Sequence, residues 1–339
     1  MHANHSFDRR AFLKLAGTAG LAAGLPLVSP AIGLARLDRK LMVAQQTRML
    51  MGTLVAVTVV DPSADRAQEA LEKTFLGMAQ AARLFDRHGG DGPVARLNRE
   101  GFINDIPPQL WQVLNLCRSV HHLSGGAFDI TVAPIVDTFR RCYLKTGRPA
   151  DAKEISRALA AVGALRWEKN ALRLTRPDAA ITLDGVAKGY IIDRGLETAA
   201  AAGAKRVLIN AGGDVAVLGT PSPGRNWRVG VADPHHPDRP KLIVKMDRGA
   251  LATSGNYEIY FDRERLFNHI VNPATGLSPR TDDSASVRAP SAAVADALST
   301  ACFVMQPEDA MRFVGRQPGV EALIFTRLGQ RYQSKGFMS

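Results

Sequence analysis

The stretch that most limits how this chain can fold is Ala292–Met305, a helical segment that is apolar nearly all round and so must be buried. Its only polar side chains are Asp296, Ser299 and Thr300. Spaced i, i+3 and i+4, they share one face. A buried carboxylate without a partner costs several kcal/mol in practice, and the helix carries no Lys or Arg of its own. Any fold must therefore bring to that face either a distant basic residue or a metal ion. Carboxylate plus hydroxyl is a hard, all-oxygen set that suits Mg²⁺ better than zinc or copper. The spacing alone leaves salt bridge and metal equally open.

The surrounding sequence favours an α+β fold after a targeting segment, and its length allows one large domain or two modest ones. Asp8-Arg9-Arg10-Ala11-Phe12-Leu13-Lys14 reads as a twin-arginine export signal, followed by an apolar stretch from Leu15 to Leu27 and a small-x-small cleavage site at Gly33-Leu34-Ala35. Pro26 and Pro30 break that stretch, which makes it a poor membrane anchor. Residues 1–35 are accordingly expected to be a signal peptide and the protein periplasmic. From Thr47 to residue 339 there is no linker, repeat or low-complexity tract. Periodicity predicts helices over Asp65–Phe85 with Asp65 as N-cap, Pro108–Leu123, Lys153–Ala161, Lys188–Ala202 and Pro307–Arg316. Strand-like runs lie at Leu54–Val60, Arg206–Asn210, Val215–Leu218, Trp227–Val231, Leu242–Met246, Tyr257–Phe261, Ala285–Ala289 and Glu321–Thr326. These come in blocks rather than strict βαβ alternation, so α+β is preferred over a doubly wound sheet.

Composition removes several functions. The formal charge of +11 comes without any run of five or six basic residues and with only 6% aromatics, which argues against a nucleic-acid partner. Three cysteines, with no CxxC pair, support neither a zinc site nor a redox couple. Thr182-Leu183-Asp184-Gly185-Val186-Ala187-Lys188-Gly189-Tyr190 is not a P-loop. Gly185 would nevertheless let a main-chain carbonyl approach a ligand, and Lys188 would face phosphate or an acidic neighbour. Gly212-Gly213-Asp214 reads as a tight hairpin turn. His269 precedes a Pro/Gly turn, where a pKa near neutrality would be useful. The pairs His121-His122 and His235-His236 read as surface features.

Taken in order, the motifs resemble the ApbE family of flavin transferases, which move FMN from FAD onto a protein threonine. The matching residues are Met51-Gly52-Thr53, Ala95-Arg96-Leu97-Asn98, Gly126 through Pro134, Gly185 through Tyr190 with Asp193, Asn210 through Asp214, Ala252-Thr253-Ser254-Gly255, His269 through Gly276 and Ala295 through Thr300. The resemblance implies a single T-fold-related catalytic domain of two packed α/β lobes. It implies Mg²⁺ held by Asp296, Thr300 and the Gly185 carbonyl, with FAD as substrate. Met51, His88, Gly89, Gly90, Asp129, Lys188 and Ile270 would contact FAD, and His269 would be the catalytic base or substrate-orienting group. The implied acceptor is a flavin-bearing subunit of a membrane electron-transfer complex, which would supply the protein's only membrane contact. The rival activities are an FAD pyrophosphatase releasing FMN and AMP, and a non-catalytic FAD-binding accessory protein. Thr182 stands where the family often has Asp. Asp184 replaces a frequent small residue, placing an extra negative charge beside the expected metal.

Overall fold

The structure is a computed structural model that describes residues 33–38, 40–232, 240–255, 270–279 and 283–338. The signal motif, the predicted strand Tyr257–Phe261, His235-His236 and His269 fall outside these residues.

Fourteen strands and eight helices are described. The strands are β1 (Gly33–Asp38), β2 (Leu41–Leu50), β3 (Thr53–Asp61), β4 (Phe102–Asn104), β5 (Leu165–Glu168), β6 (Ala171–Leu174), β7 (Val207–Ala211), β8 (Asp214–Leu218), β9 (Trp227–Ala232), β10 (Pro240–Met246), β11 (Arg248–Gly255), β12 (Ser284–Ala289), β13 (Glu321–Phe325) and β14 (Arg331–Gln333). The helices are α1 (Ala64–Ala82), α2 (Pro93–Glu100), α3 (Pro108–Leu123), α4 (Ala133–Thr146), α5 (Ala152–Leu159), α6 (Ala187–Ala201), α7 (Ala292–Val304) and α8 (Pro307–Val314). Nine strands form one antiparallel sheet in the order β1-β2-β3-β7-β8-β11-β12-β13-β14. Hairpin β9–β10 and the small sheet β4-β6-β5 are separate. The domain is mixed α+β, as the block pattern predicts, and the sheet already includes β2, which begins before Thr47.

Strict alternation builds a sheet buried on both faces. Val55, Val57 and Val59 of β3, Ile209 of β7, Ala250 of β11 and Ile324 of β13 pack toward the helices. Their neighbours Val60, Leu208, Leu251, Leu323 and Phe325 pack on the opposite face with Trp227, Val229, Val244 and Met246 of the β9–β10 hairpin. The two halves repeat a theme. Hairpin β2–β3 leads into α1, which packs back on it, and hairpin β11–β12 leads into α7, which does likewise. Helix α6 lies between α1 and α7.

Two sequence expectations need correction. The N-cap of α1 is Ser63, whose side chain accepts from the Arg66 amide, while Asp65 sits in the first turn, where its charge suits the helix dipole. Helices α2 and α4 were not expected. Both open on proline in the first turn, a start signal that the low overall hydrophobicity of α2 and the arginines of α4 obscured. The free cysteines Cys117, Cys142 and Cys302 are all buried.

Candidate functional site

Helix α7 is the buried helix that the sequence demanded, and its acidic face has an unforeseen anchor. Asp296 is 4% exposed, and its Oδ2 accepts the Gly189 amide at 2.9 Å. Gly189 is the third residue of α6, so this amide is one of the donors that a helix N-terminus leaves without an intrahelical acceptor. The favour is returned. Asp193, one turn further along α6, accepts the amides of Ala292 and Ala293 at the start of α7, at 2.7 and 2.9 Å. Each helix thus supplies a carboxylate to the positive end of the other. Burial pushes the Asp193 carboxyl up to about 6, against the pull of those two amide bonds. The close crossing depends on glycine: a Cβ at Gly189 would stand 2.2 Å from the Ala292 carbonyl oxygen.

This crossing delivers its oxygens to a cleft at one end of the sheet. The cleft is open to solvent, and its lining includes Asp129, Asp184, Gly185, Lys188, Ile270, Asp296 and Thr300. Thr300 sits one turn beyond Asp296. Its hydroxyl would be only 3.1 Å from a Cβ built on Gly185, so any side chain at 185 would crowd the cleft there. Ser254, at the end of β11, ties the wall together: its hydroxyl is 2.8 Å from Ser299 Oγ and 3.4 Å from Thr300 Oγ1. Ser299 Oγ in turn donates to the Asp296 carbonyl at 2.9 Å.

Charge in the cleft is arranged in pairs. Lys188 Nζ lies 2.7 Å from Oδ2 of Asp214, a residue only 2% exposed, whose Oδ1 accepts the Thr253 amide at 3.2 Å. The acidic neighbour expected for Lys188 is therefore present. Asp214 owes its position to the Gly212-Gly213 turn, where both residues have positive φ (61° and 98°), as the two-residue β7–β8 hairpin requires. Asp129 Oδ1 accepts the amide and hydroxyl of Thr131 at 2.7 and 2.6 Å. Its Oδ2 is 3.5 Å from Nδ1 of His121, which is more than a plain surface residue.

Of the ten described residues among the predicted site residues, Asp129, Gly185, Lys188, Ile270, Asp296 and Thr300 converge on the cleft and the other four do not line it. His88, Gly89 and Gly90 form an exposed turn fixed by Asp86 Oδ1, which accepts the His88 and Gly89 amides at 2.8 and 3.1 Å. Met51 lies in the β2–β3 turn with φ of 54°, a left-handed conformation that is uncommon for a non-glycine residue. Sequence reasoning missed the partner carboxylates Asp193 and Asp214 as supports. It also missed Arg87, which forks onto Asp137 of α4 at 2.8 and 3.0 Å.

The residues present suit a divalent cation. Among the described residues no group of three or more His, Cys, Asp or Glu side chains could hold a metal. The donors that the resemblance implies are the Asp296 carboxylate, the Thr300 hydroxyl and the Gly185 main-chain carbonyl, all oxygen, and Asp184 adds a second carboxylate to the lining. That is the incomplete set expected for Mg²⁺, which keeps waters and completes its shell with substrate phosphates.

The sequence profile of the ApbE family matches residues 51–324. An FAD:protein FMN transferase of Treponema pallidum is 28% identical over 82% of this chain and 83% of its own length. One from Rhodobacter capsulatus is 31% identical over 90% of this chain, which spans 58% of that longer relative. The solved ApbE protein of Thermotoga maritima superposes with a TM-score of 0.76 at 27% identity, covering 88% of this chain and 99% of the other.

Proposed function

Because the chain belongs to the ApbE family, we propose that it moves the FMN moiety of FAD onto a threonine hydroxyl of a target protein, releasing AMP, with Mg²⁺ held by Asp296, Thr300 and the Gly185 carbonyl. It is a transferase enzyme, with FAD as substrate and a protein as flavin acceptor. The observation that carries the reading is the convergence on one cleft of Lys188, Asp296 and Thr300 from two crossed helices and of Gly185 from the turn that leads into one of them. A cation bound there would neutralise negative charge on the diphosphate bridge of FAD. Lys188 adds a positive charge from the chain itself, held by the buried Asp214 so that its ammonium stays at the wall. The acceptor oxygen bonds to the FMN phosphorus, the bond to the AMP phosphate breaks, and the hydroxyl proton passes to a base. His269, which directly precedes the cleft-lining Ile270 in the sequence, is our candidate for that base. General base catalysis of this kind is typically worth about 10²–10⁴-fold. The proposed acceptor is a subunit of a membrane electron-transfer complex.

Incubation with FAD, Mg²⁺ and a threonine-bearing acceptor, followed by intact mass spectrometry, tests the reading. A covalent gain of one FMN on the acceptor is expected. Free FMN and AMP with an unmodified acceptor would instead support hydrolysis, and intact FAD a binding protein.

We also propose that the protein acts in the periplasm, on the strength of the motif from Asp8 to Lys14. No helix among the described residues is long and apolar enough to cross a membrane. Replacing Arg9 and Arg10 by Lys should leave the protein in the cytoplasm; unchanged export would reject the twin-arginine route.

A further inference from the structure

Arg87 takes no part in the chemistry above, yet the fold encloses it beside the cleft. Its side chain is 6% exposed. Two of its nitrogens are spent on Asp137. The third, Nε, is buried and makes no hydrogen bond, and it points to Oδ2 of Asp184 from 3.8 Å. That separation is too long for a hydrogen bond but close enough for strong attraction in a partly desolvated setting. A guanidinium keeps its charge at any working pH, so Asp184 is drawn toward Arg87 without being captured by it.

Asp184 itself lines the cleft, and its side chain is 61% exposed. It immediately precedes Gly185, and its amide donates to Thr182 Oγ1 at 3.2 Å. The other acids of the cleft are committed elsewhere: Asp129 to Thr131, and Asp296 to the Gly189 amide through one oxygen. Asp214, just behind the wall, is committed to Lys188. Asp184 is the acid here that the protein restrains from one side only. Being buried and fixed on Asp137, Arg87 cannot follow the carboxylate out into the cleft.

We propose that Asp184 is a further cation-facing carboxylate of this cleft and that Arg87 is its competing counter-charge, so that a bound divalent ion and the buried guanidinium draw on the same carboxylate. The inference rests on the cation site proposed above. It makes Asp184 a determinant of cation affinity and Arg87 a brake on it. Their effects on binding should therefore have opposite signs, whereas a merely structural ion pair would weaken binding whichever member was removed.

The test is titration of the full chain with Mn²⁺ alone, without FAD, reading free Mn²⁺ by electron paramagnetic resonance. Asp184→Asn, an exposed and nearly isosteric change, is expected to weaken binding about tenfold. The paired change Arg87→Gln with Asp137→Asn removes the guanidinium together with its main partner and leaves the local charge balance unaltered. It is expected to tighten binding about threefold, as the nearest cation is withdrawn from Asp184. Binding by Asp184→Asn within twofold of the parent overturns the proposal, and this variant decides the matter even if the paired one fails to fold. Weaker binding by a folded paired variant overturns the role of Arg87. Asp296→Ala separates this failure from a failure of the site: if it loses Mn²⁺ while Asp184→Asn does not, only the present inference falls. If Asp296→Ala binds as the parent does, the cation site itself is wrong.

Discussion

Asp296→Ala is expected to lower the rate of FMN transfer by more than about a hundredfold at saturating FAD, and raising Mg²⁺ should not restore it. Supporting groups around a bound metal are typically worth 10- to 100-fold, and of Asp296, Thr300 and Gly185 only Asp296 brings a charge. A hundredfold loss corresponds to about 2.7 kcal/mol of transition-state stabilisation. The fold should survive. Removing the carboxylate leaves the Gly189 amide without this acceptor, at a cost of about 1–3 kcal/mol, but it also removes a charge that is expensive to bury. Asp296→Asn refines the test, because its amide oxygen can still accept from Gly189 while the charge is gone. Both variants should melt near the parent temperature and fail in transfer. Full Mg²⁺-dependent activity in either would contradict the assignment.

Gly189→Ala should damage stability and activity together, which sets it apart from Asp296→Ala. The new methyl would meet the Ala292 carbonyl oxygen, its carbon and the Ala293 nitrogen at 2.2, 2.5 and 2.7 Å. These are backbone atoms at the capped start of α7 and have no rotamer to change, so the two helices must separate. Overpacking of this kind costs roughly 1–3 kcal/mol and occasionally more. Alanine's better helix propensity offsets about 1 kcal/mol at most. A fall in Tm of roughly 2–5 °C is expected. Because the same residue donates to Asp296, the carboxylate should lose its register with Gly185 and Thr300, and transfer should fall at least tenfold. A variant with the parent's Tm would show that the crossing is looser than described.

How much of this could be read from the chain depends on how local each signal is. The burial of α7 and the grouping of Asp296 with Thr300 follow from the period of one helix, so one segment revealed them. The partner of that carboxylate could not be foreseen as an amide, because Gly189 lies 107 positions away and donates through its backbone, which has no sequence signature. Reciprocal capping by Asp193 was hidden for the same reason: an acid in mid-helix looks like a solvated charge until another helix end packs against it. Short strands β4, β5 and β6 gave no alternation long enough to detect. The second buried face of the sheet was also missed, since covering it requires the β9–β10 hairpin to fold over strands far away in sequence. At the Gly212-Gly213 turn the local signal was complete, and sequence and structure coincide.

A divalent ion has one proposed position in this protein. Crystals of the protein grown with AMP and Mn²⁺ should show an anomalous difference peak within bonding distance of the Asp296 carboxylate, the Thr300 hydroxyl and the Gly185 carbonyl, with phosphate oxygens completing the shell. A nucleotide bound in the cleft with no peak at those three oxygens, or with Mn²⁺ held elsewhere, would contradict it.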